Sequence, residues 1–240
     1  MYQPRVYRDF SIKKGEYTFQ VAVKESDLYI RAERNLKKQA LELLLKYRLQ
    51  IENYIRKYPV FSSSLIPLKF DSLAPPIIKT MMKSSIIAGV GPMASVAGAL
   101  AEFVGKDLMP FSRKIIIENG GDIFLNVQNE TNVGILTPES SIGEKIGIKV
   151  SPENMPLGIC TSSGTIGHSL SFGKSDAVCV LSSSTPLADA LATSVANRIK
   201  GKNDIYSAIE FGKKIEGVLG IVIIFEKAIG SWGDVELVRL

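Results

Sequence analysis

An acid and a hydroxyl stand four residues apart in a run of small apolar residues near the end of the chain, as Asp189 and Thr193. Thr185 and Pro186 precede them and are typical of an N-cap followed by proline in the first helical turn. A helix that begins there puts Asp189 and Thr193 on one face, one turn apart. Their oxygens are ligands that Mg²⁺ accepts, so the pair indicates a divalent cation site. An acid at a helix start and a threonine bonded to the preceding turn would explain the same residues.

Two further segments have residues suited to ligand binding. The first is Glu-Asn-Gly-Gly-Asp at 118–122, which interrupts two strand-like runs. Its Gly120 and Gly121 favour either a plain hairpin turn or a close approach of the backbone to a ligand. Asp122 is either a turn residue or an acid that orients the ligand-binding residues without touching the ligand itself. The second segment offers hydroxyls for phosphate or ribose, and it comprises Thr161, Ser162, Ser163 and Gly164.

The order and approximate spacing of these segments resemble the ApbE superfamily, the flavin-binding FAD:protein FMN transferases that use Mg²⁺. Ala-Asp-Ala-Leu-Ala-Thr at 188–193 matches the superfamily motif completely, and Gly-Gly-Asp and Thr-Ser-(Ser)-Gly occur in its order. The longer strings VGPMASVAGALAE, ENGGDIFL and CTSSGTIGHSLSFGKSDAV are still more similar to an ApbE-like branch of that superfamily. The resemblance spans most of residues 1–240.

The resemblance implies roles for individual residues. It assigns Asp189 and Thr193 to Mg²⁺ together with the carbonyl of Ala94, and it makes Asp189 a catalytic residue. FAD or FMN would contact the two loop segments and the helix start near residue 92, where unpaired amides suit an anion. This nucleotide-binding set comprises Gly91, Ala94, Ser95, Gly120, Gly121, Asp122, Thr161, Ser162, Ser163 and Gly164.

Two departures from the superfamily pattern concern its chemistry. Ser95 stands where the transferases usually have a lysine. After Gly164 the transferases have a histidine and an H-x-x-D-P-x-T-G-like segment, whereas this chain has His168, its only histidine, and no D-P-x-T-G. His168 is therefore a catalytic candidate without an assigned role. We expect nucleotide binding with weak transfer of FMN to a protein threonine. The alternative is a non-catalytic accessory protein in anaerobic sulfur, metal or cofactor metabolism.

Composition and charge narrow the class of protein. The chain is 45% hydrophobic and 22% charged, which is typical of a globular protein. Residues 1–60 hold 13 Lys and Arg against 7 Asp and Glu, and the remainder holds 16 against 17. Without a long basic run or interleaved aromatics, this surplus does not indicate nucleic-acid binding. The uncharged residues 84–101 are long enough for a membrane span, but their glycine, alanine and proline favour a buried helix.

The sequence also predicts the cellular location, the state of the cysteines and the partners of the protein. The first ten residues have three charges and no apolar run, so we expect a cytoplasmic protein without a signal peptide. Cys160 and Cys179 are predicted to be buried free thiols. The expected partners are a nucleotide-like small molecule and a flavin-accepting protein, with a homo-oligomer left open, and neither nucleic acid nor membrane.

Helices and strands mix without regular β-α-β alternation, so the predicted class is α+β. The resemblance adds a single ApbE-like, T-fold-related domain over 1–240 with mixed sheets and packed helices, its N-terminal part being 1–60 and its site-bearing core 77–240. The predicted helices cover 35–58, 93–104, 186–200 and 205–214. The predicted strands cover 5–10, 17–23, 27–31, 85–90, 114–118, 122–127, 132–136, 146–150, 157–160 and 176–182, with a final hairpin of 218–225 and 235–240.

Overall fold

The computed structural model describes residues 16–137, 146–164 and 173–240. The α-helices in these ranges are α1 (Lys37–Lys57), α2 (Val60–Ser63), α3 (Pro76–Ala88), α4 (Val96–Leu108), α5 (Thr185–Asn197) and α6 (Ile205–Gly212). The strands are β1 (Tyr17–Val23), β2 (Ser26–Ala32), β3 (Ile115–Asn119), β4 (Asp122–Asn126), β5 (Thr131–Ile135), β6 (Ile146–Val150), β7 (Leu157–Ser162), β8 (Ala177–Ser182), β9 (Val218–Phe225), β10 (Ala228–Gly233) and β11 (Glu236–Arg239). A 3₁₀ turn, Pro92–Ser95, precedes α4.

Two antiparallel sheets organise these elements. The larger has the strand order β1-β2-β3-β4-β7-β8-β9-β10, and the smaller has the order β11-β6-β5. The helices α1, α4, α5 and α6 pack on one face of the larger sheet, and α3 packs against α1, α4 and α5. The smaller sheet covers part of the other face through an apolar cluster that includes Ile148 and Leu181. The predicted α+β class is confirmed.

Alternation along the strands separates the two faces of the larger sheet. In β8, Val178 and Val180 belong to the cluster under α5, whereas Cys179 and Leu181 belong to the cluster under the smaller sheet. In β7, Cys160 faces α5. The sheet therefore presents the even-numbered residues of β7 to the helices, and those residues include one end of the candidate site.

The element predictions fail at two places. Residues 85–90 are not a strand: α3 continues to Ala88 and ends at Gly89, whose φ of 71° is the left-handed conformation of a helix C-cap. The final hairpin is also different, because β9 pairs with β10, and β11 pairs with β6 of the smaller sheet. The predicted strand 5–10 lies outside the described residues.

Within the described ranges no single helix has both the length and the apolarity to cross a bilayer, although Pro76–Ala88 and Pro92–Phe111 pass by length and composition as a pair bent by 106°.

Candidate functional site

In both α4 and α5, backbone amides of the first turn donate hydrogen bonds to a carboxylate on the other helix. The N–H of Gly98 donates to Oδ2 of Asp189 over 2.8 Å, and the N–H of Ala97 bonds the same carboxylate. The N–H of Thr185 donates to Oε2 of Glu102 over 2.6 Å. Neither helix receives a side-chain hydrogen bond from its own N-cap residue. The two acids therefore satisfy amides that would otherwise lack a partner, and each opposes the positive end of a helix dipole.

Gly98 allows this close contact between the helices. A Cβ at this position would lie 2.6 Å from the carbonyl oxygen of Thr185 and 2.9 Å from Cβ of Asp189. Real Cβ atoms essentially never approach other atoms so closely, and both of these neighbours are fixed by the backbone of α5, so neither can move aside by a change of rotamer. A glycine in α4 is thus required to bring the Asp189 carboxylate to the start of that helix.

A second acid, Asp122, lies beside Asp189. Asp122 begins β4 opposite Cys160 of β7, is 6% exposed, and bonds the Cys160 thiol and the N–H of Thr161. Burial and then the negative charge of Asp189 raise the pKa of Asp122 well above its usual range. Burial also raises the pKa of Asp189 to about 7, although its bonds from Gly98 and Ala97 act in the opposite direction. We call Asp122, Cys160 and Asp189 the acidic cluster.

Cys160 is the uncharged member of the acidic cluster. It is fully buried, and its Sγ donates to the carbonyl oxygen of Thr185 over 3.4 Å. Burial, and then the neighbouring charge of Asp122, raise the pKa of this thiol well above its usual range. A protonated, enclosed thiol is a poor nucleophile. Cys160 and Cys179 are both free and buried, which confirms the prediction of buried free thiols.

Two of the three residues assigned to Mg²⁺ lie on α5. Thr193 follows Asp189 by one turn and is 8% exposed. The third, Ala94, belongs to the 3₁₀ turn before α4, which packs against α5. Ala94 contacts the same apolar cluster as Ala190 and Ala192 of α5. The oxygens proposed as ligands therefore come from two elements that are in contact.

Ser95 and Gly91 have structural contacts that explain them. The hydroxyl of Ser95 is fully buried and donates to the carbonyl oxygen of Pro92 over 2.8 Å. A Cβ on Gly91 would lie 1.8 Å from the carbonyl oxygen of Ser64. The serine that replaces the superfamily's lysine thus bonds within its own turn, and the glycine allows the chain after α2 to approach.

Gly120 and Gly121 form a two-residue hairpin turn between β3 and β4. Their φ angles of 72° and 104° are both in the region that favours glycine. The N–H of Gly121 donates to Oε1 of Glu118 over 3.0 Å. A Cβ on Gly121 would meet the carbonyl oxygen of Thr161 at 3.8 Å. The hairpin explains both glycines, and it lies next to the hydroxyl-rich segment.

The side chains of the hydroxyl-rich segment, residues 161–164, do not all lie on the same face of the larger sheet. The Thr161 hydroxyl bonds Cys179, under the smaller sheet. Ser162 shares the α5 side with Cys160, is 5% exposed, and its Oγ has no hydrogen-bond partner among the described residues. Gly164 donates its N–H to the carbonyl oxygen of Ser175 over 3.0 Å. Ser163 follows β7 and is partly buried. His168 lies outside the described residues, so its catalytic role stays a prediction.

The acidic cluster has the chemistry to hold a divalent cation. Within the described part of the chain, neither Asp122 nor Asp189 forms an ion pair, so two adjacent carboxylates lack a positive counter-charge. A carboxylate offers about four lone-pair positions, so the two amides on Asp189 leave further acceptor capacity. Among the described residues no three His, Cys, Asp or Glu side chains form a metal centre. A cation here would therefore also use hydroxyl, carbonyl and ligand oxygens, which Mg²⁺ accepts.

Sequence reasoning missed Gly98 and Glu102. The signal for Gly98 was present, because a glycine inside a predicted helix indicates close packing. Glu102 had no comparable signal. Its partner Thr185 is 83 residues away along the chain, and only the packing of α4 on α5 joins them.

The fold is that of the ApbE proteins. The crystal structure of the ApbE protein from Thermotoga maritima matches with a TM-score of 0.55 at 10% identity, covering 90% of this chain and 96% of that chain. The apo form of the flavinyl transferase ApbE from Pseudomonas stutzeri matches with a TM-score of 0.53 at 12% identity, covering 90% and 93%.

The sequence places the chain in a particular family within that fold. The family model described as AbpE bacteria matches residues 10–231, and the chain belongs to this family. A UPF0280 protein of Methanocaldococcus jannaschii is 38% identical over 226 residues, which are 91% of this chain and 92% of that protein. A UPF0280 protein of Methanobrevibacter smithii is 41% identical over 212 residues, covering 85% and 89%. The predicted ApbE resemblance is confirmed.

Proposed function

We propose that the protein binds a flavin nucleotide, or another ligand that contains a pyrophosphate, together with a divalent cation at the acidic cluster, and acts as a flavin transferase of the ApbE type. The observation that carries this proposal is the pair of adjacent carboxylates, Asp122 and Asp189, without a cationic partner among the described residues. The shared fold supports it, because the matched structures include flavin transferases.

The proposed site has residues that would bind the cation and residues that position those ligands. Asp189 and Thr193, with the carbonyl of Ala94, would hold Mg²⁺. When bound, Mg²⁺ polarises the phosphoanhydride and stabilises charge on the leaving phosphate. The Thr161 N–H holds the Asp122 carboxyl group beside Asp189. The Gly98 and Ala97 amides keep the Asp189 carboxylate in place.

Transfer of FMN requires one bond to break and another to form. The bond between the two phosphates of FAD breaks, AMP leaves with the bonding electrons, and a threonine oxygen of the acceptor bonds to the FMN phosphorus and loses its proton. Ser95 supplies no positive charge to this centre, because a serine hydroxyl is neutral, and this one donates to the Pro92 carbonyl. Since misplacement by about 1 Å costs roughly a hundredfold in rate, we expect slow transfer.

The same observation on Ser95 favours a second candidate, a binding or accessory protein that keeps the nucleotide and lacks transfer. The cytoplasmic location and the exclusion of nucleic acid and membrane stay predictions.

An assay of covalent flavin labelling separates the two candidates. The protein is incubated with FAD, Mg²⁺ and a flavin-acceptor domain, and acceptor-bound flavin is measured by mass and in-gel fluorescence. We expect slow labelling that Asp189→Ala abolishes, whereas Glu153→Ala, an exposed acid outside the cluster, leaves it unchanged. Bound FAD without labelling favours the accessory protein. No binding of FAD, FMN or another nucleotide at about 1 mM, only about −4.1 kcal/mol, contradicts the proposed site.

A further inference from the structure

Exposed apolar side chains are concentrated in residues 58–87. This stretch is an eighth of the 240-residue chain, yet it provides eight of the seventeen large apolar side chains that are exposed in the described part of the chain. Single apolar residues at a surface need no explanation, whereas a concentration of them marks an interaction site. The eight residues are Tyr58, Val60, Leu65, Ile66, Phe70, Leu73, Ile86 and Ile87.

Six of these side chains lie on one continuous part of the surface. Nζ of Lys83, on α3, lies 5.8 Å from the ring centroid of Phe70, so the connection between α2 and α3 folds back along α3. Ile86 and Ile87 follow Lys83 by three and four residues, which places them on the same face of the helix. We call this face of α3, together with residues 65–73 of the connection, the α3 surface.

The α3 surface and its neighbours on the chain are also basic. Between Asn53 and Ala101 the only acid is Asp71, whose carboxylate accepts bonds from the Tyr54 hydroxyl over 3.0 Å and from the Leu73 N–H over 2.9 Å. The five basic residues exceed this acid by four charges, and none of them forms an ion pair within the described ranges. A partner that complements this surface is therefore both apolar and acidic. The basic residues are Arg56, Lys57, Lys69, Lys79 and Lys83.

The α3 surface borders the candidate site. A Cβ on Gly91 would lie 3.0 Å from Cα of Leu65, so the connection contacts the residue that precedes the 3₁₀ turn. Ala94, whose carbonyl is proposed as a cation ligand, follows Gly91 by three residues, which is about 6 Å at the rise of a 3₁₀ helix. Met93 and Ala94 are themselves partly exposed. The surface therefore leads directly to the turn that would help to hold the cation.

We propose that the α3 surface is the docking site of the flavin-accepting protein, and that this acceptor presents acidic and apolar residues beside its threonine. The inference rests on the proposed transfer of FMN, which requires the threonine oxygen to be held about 3–3.5 Å from the phosphorus. An acceptor docked on the α3 surface would have its threonine beside the cation. An anionic lipid surface would also complement a basic, apolar patch, but it would not explain why the patch borders the site.

The proposed complex is a transient one. An acceptor that carries its flavin must leave before the next acceptor binds, so the interface should belong to the small class, which buries less than about 1,200 Å². Charges at the rim of such an interface act mainly on the rate of association. We therefore expect acceptor binding to weaken as salt screens the lysines of the α3 surface.

Binding of a purified, dye-labelled flavin-acceptor domain tests the proposal on the full chain. With FAD and Mg²⁺ present, fluorescence anisotropy should show at least tenfold weaker binding for Lys69→Glu/Lys83→Glu, because both changes repel an acidic partner. Lys202→Glu/Lys227→Glu is the matched control, since both lysines are exposed, lie outside the α3 surface and change the net charge equally. The control should stay within about twofold of the unmodified protein. In the labelling assay the first variant should raise the KM for the acceptor and leave kcat unchanged.

Photo-crosslinking locates the acceptor independently. Ile66→Cys, coupled to benzophenone maleimide, should cross-link to the acceptor domain on illumination. Leu49→Cys is the matched control, because Ile66 and Leu49 are both apolar and exposed, by 69% and 56%, and Leu49 lies on α1. The native Cys160 and Cys179 are buried and supply no competing thiol.

The outcomes separate this proposal from the proposed function. Acceptor binding that Lys69→Glu/Lys83→Glu leaves unchanged overturns the docking site, as does equal cross-linking from 66 and 49 or no acceptor binding at about 100 μM. Co-sedimentation with phosphatidylglycerol vesicles, without binding of the acceptor domain, assigns the surface to lipid and also overturns it. FAD affinity is measured on the same variants and should be unchanged in both, whereas its absence in the unmodified protein contradicts the proposed function instead.

Discussion

At the scale of single residues, Asp189 combines two roles with different chemical requirements. As an acceptor for the Gly98 and Ala97 amides it needs an oxygen, and as a cation ligand it needs a negative charge. Asp189→Asn keeps an oxygen and removes the charge, whereas Asp189→Ala removes both. The two substitutions therefore separate a structural role from a binding role.

Cys179 gives a prediction about alkaline pH. Burial raises the pKa of its thiol from 9.0 to about 12. Below pH 9 the thiol is protonated in both states and its contribution to stability is complete. As the pH rises from 9 towards 12, the unfolded state loses the proton first, so stability falls by up to about 1.4 kcal/mol per pH unit.

Cys179→Ala should therefore lose stability at pH 7 through a small cavity, and its deficit should narrow between pH 8 and pH 10.5. Urea unfolding at each pH measures this deficit. Val178→Ala is the control, because its buried side chain does not ionise and its deficit should stay constant. A constant deficit for Cys179→Ala as well would contradict the prediction.

The sequence allowed only part of the candidate site to be predicted. The shared face of Asp189 and Thr193 follows from helical periodicity alone, because both residues lie within one element. The contacts of Asp189 with Gly98 and of Glu102 with Thr185 do not, since the partners are 91 and 83 residues apart. Such contacts depend on how α4 crosses α5, which local patterns do not specify.

At the scale of elements, the pair α4 and α5 is the part of the fold that positions the site. The first turn of each helix donates a backbone hydrogen bond to an acid of the other helix. In addition, α5 packs on β7, which contains Cys160. The acidic cluster therefore forms where these two helices meet the sheet.

Gly98→Ala tests the closeness of this helix pair. The added Cβ would meet the Thr185 carbonyl at 2.6 Å, so α4 and α5 must separate. We expect a loss of about 1–3 kcal/mol of stability, as for other overpacked sites, together with weaker cation binding. Gly201→Ala is the control, because nothing lies within 4 Å of its Cβ. Urea unfolding measures both, and an unchanged midpoint for Gly98→Ala would contradict the close contact.

The element predictions failed where local sequence was ambiguous. Residues 85–90 are short, apolar and partly β-branched, and this pattern fits a strand and a buried helix equally. The structure resolves them as the end of a helix that begins at Pro76, with apolar residues at 77, 78, 81, 82 and 88. In the final hairpin, the residues between the two predicted strands are not a connecting turn: Ala228–Gly233 form β10, whose partner is β9.

At the scale of the whole molecule, one sheet joins the two ends of the described chain. β1 begins at Tyr17 and β10 ends at Gly233, yet both belong to the same eight-stranded sheet. The helices between them share cores with that sheet. We propose on this ground that residues 1–240 fold as one domain.

A single domain predicts a single cooperative unfolding transition. Far-UV circular dichroism reports all the helices, and fluorescence of Trp232, the only tryptophan, reports β10. The two signals should have the same urea midpoint. An N-terminal unit of residues 1–60 that unfolds separately would give two midpoints, and this would contradict the proposal.

The central claim is that Asp189 supplies a charge to a divalent cation that in turn holds a pyrophosphate. The most direct measurement is isothermal titration of FAD into the protein with Mg²⁺ and with EDTA, repeated for Asp189→Asn. We predict that FAD affinity falls at least tenfold, about 1.4 kcal/mol, on removal of Mg²⁺ or of the Asp189 charge, while the melting temperature of Asp189→Asn stays within a few degrees. FAD affinity that depends neither on Mg²⁺ nor on the charge of Asp189 would contradict the claim.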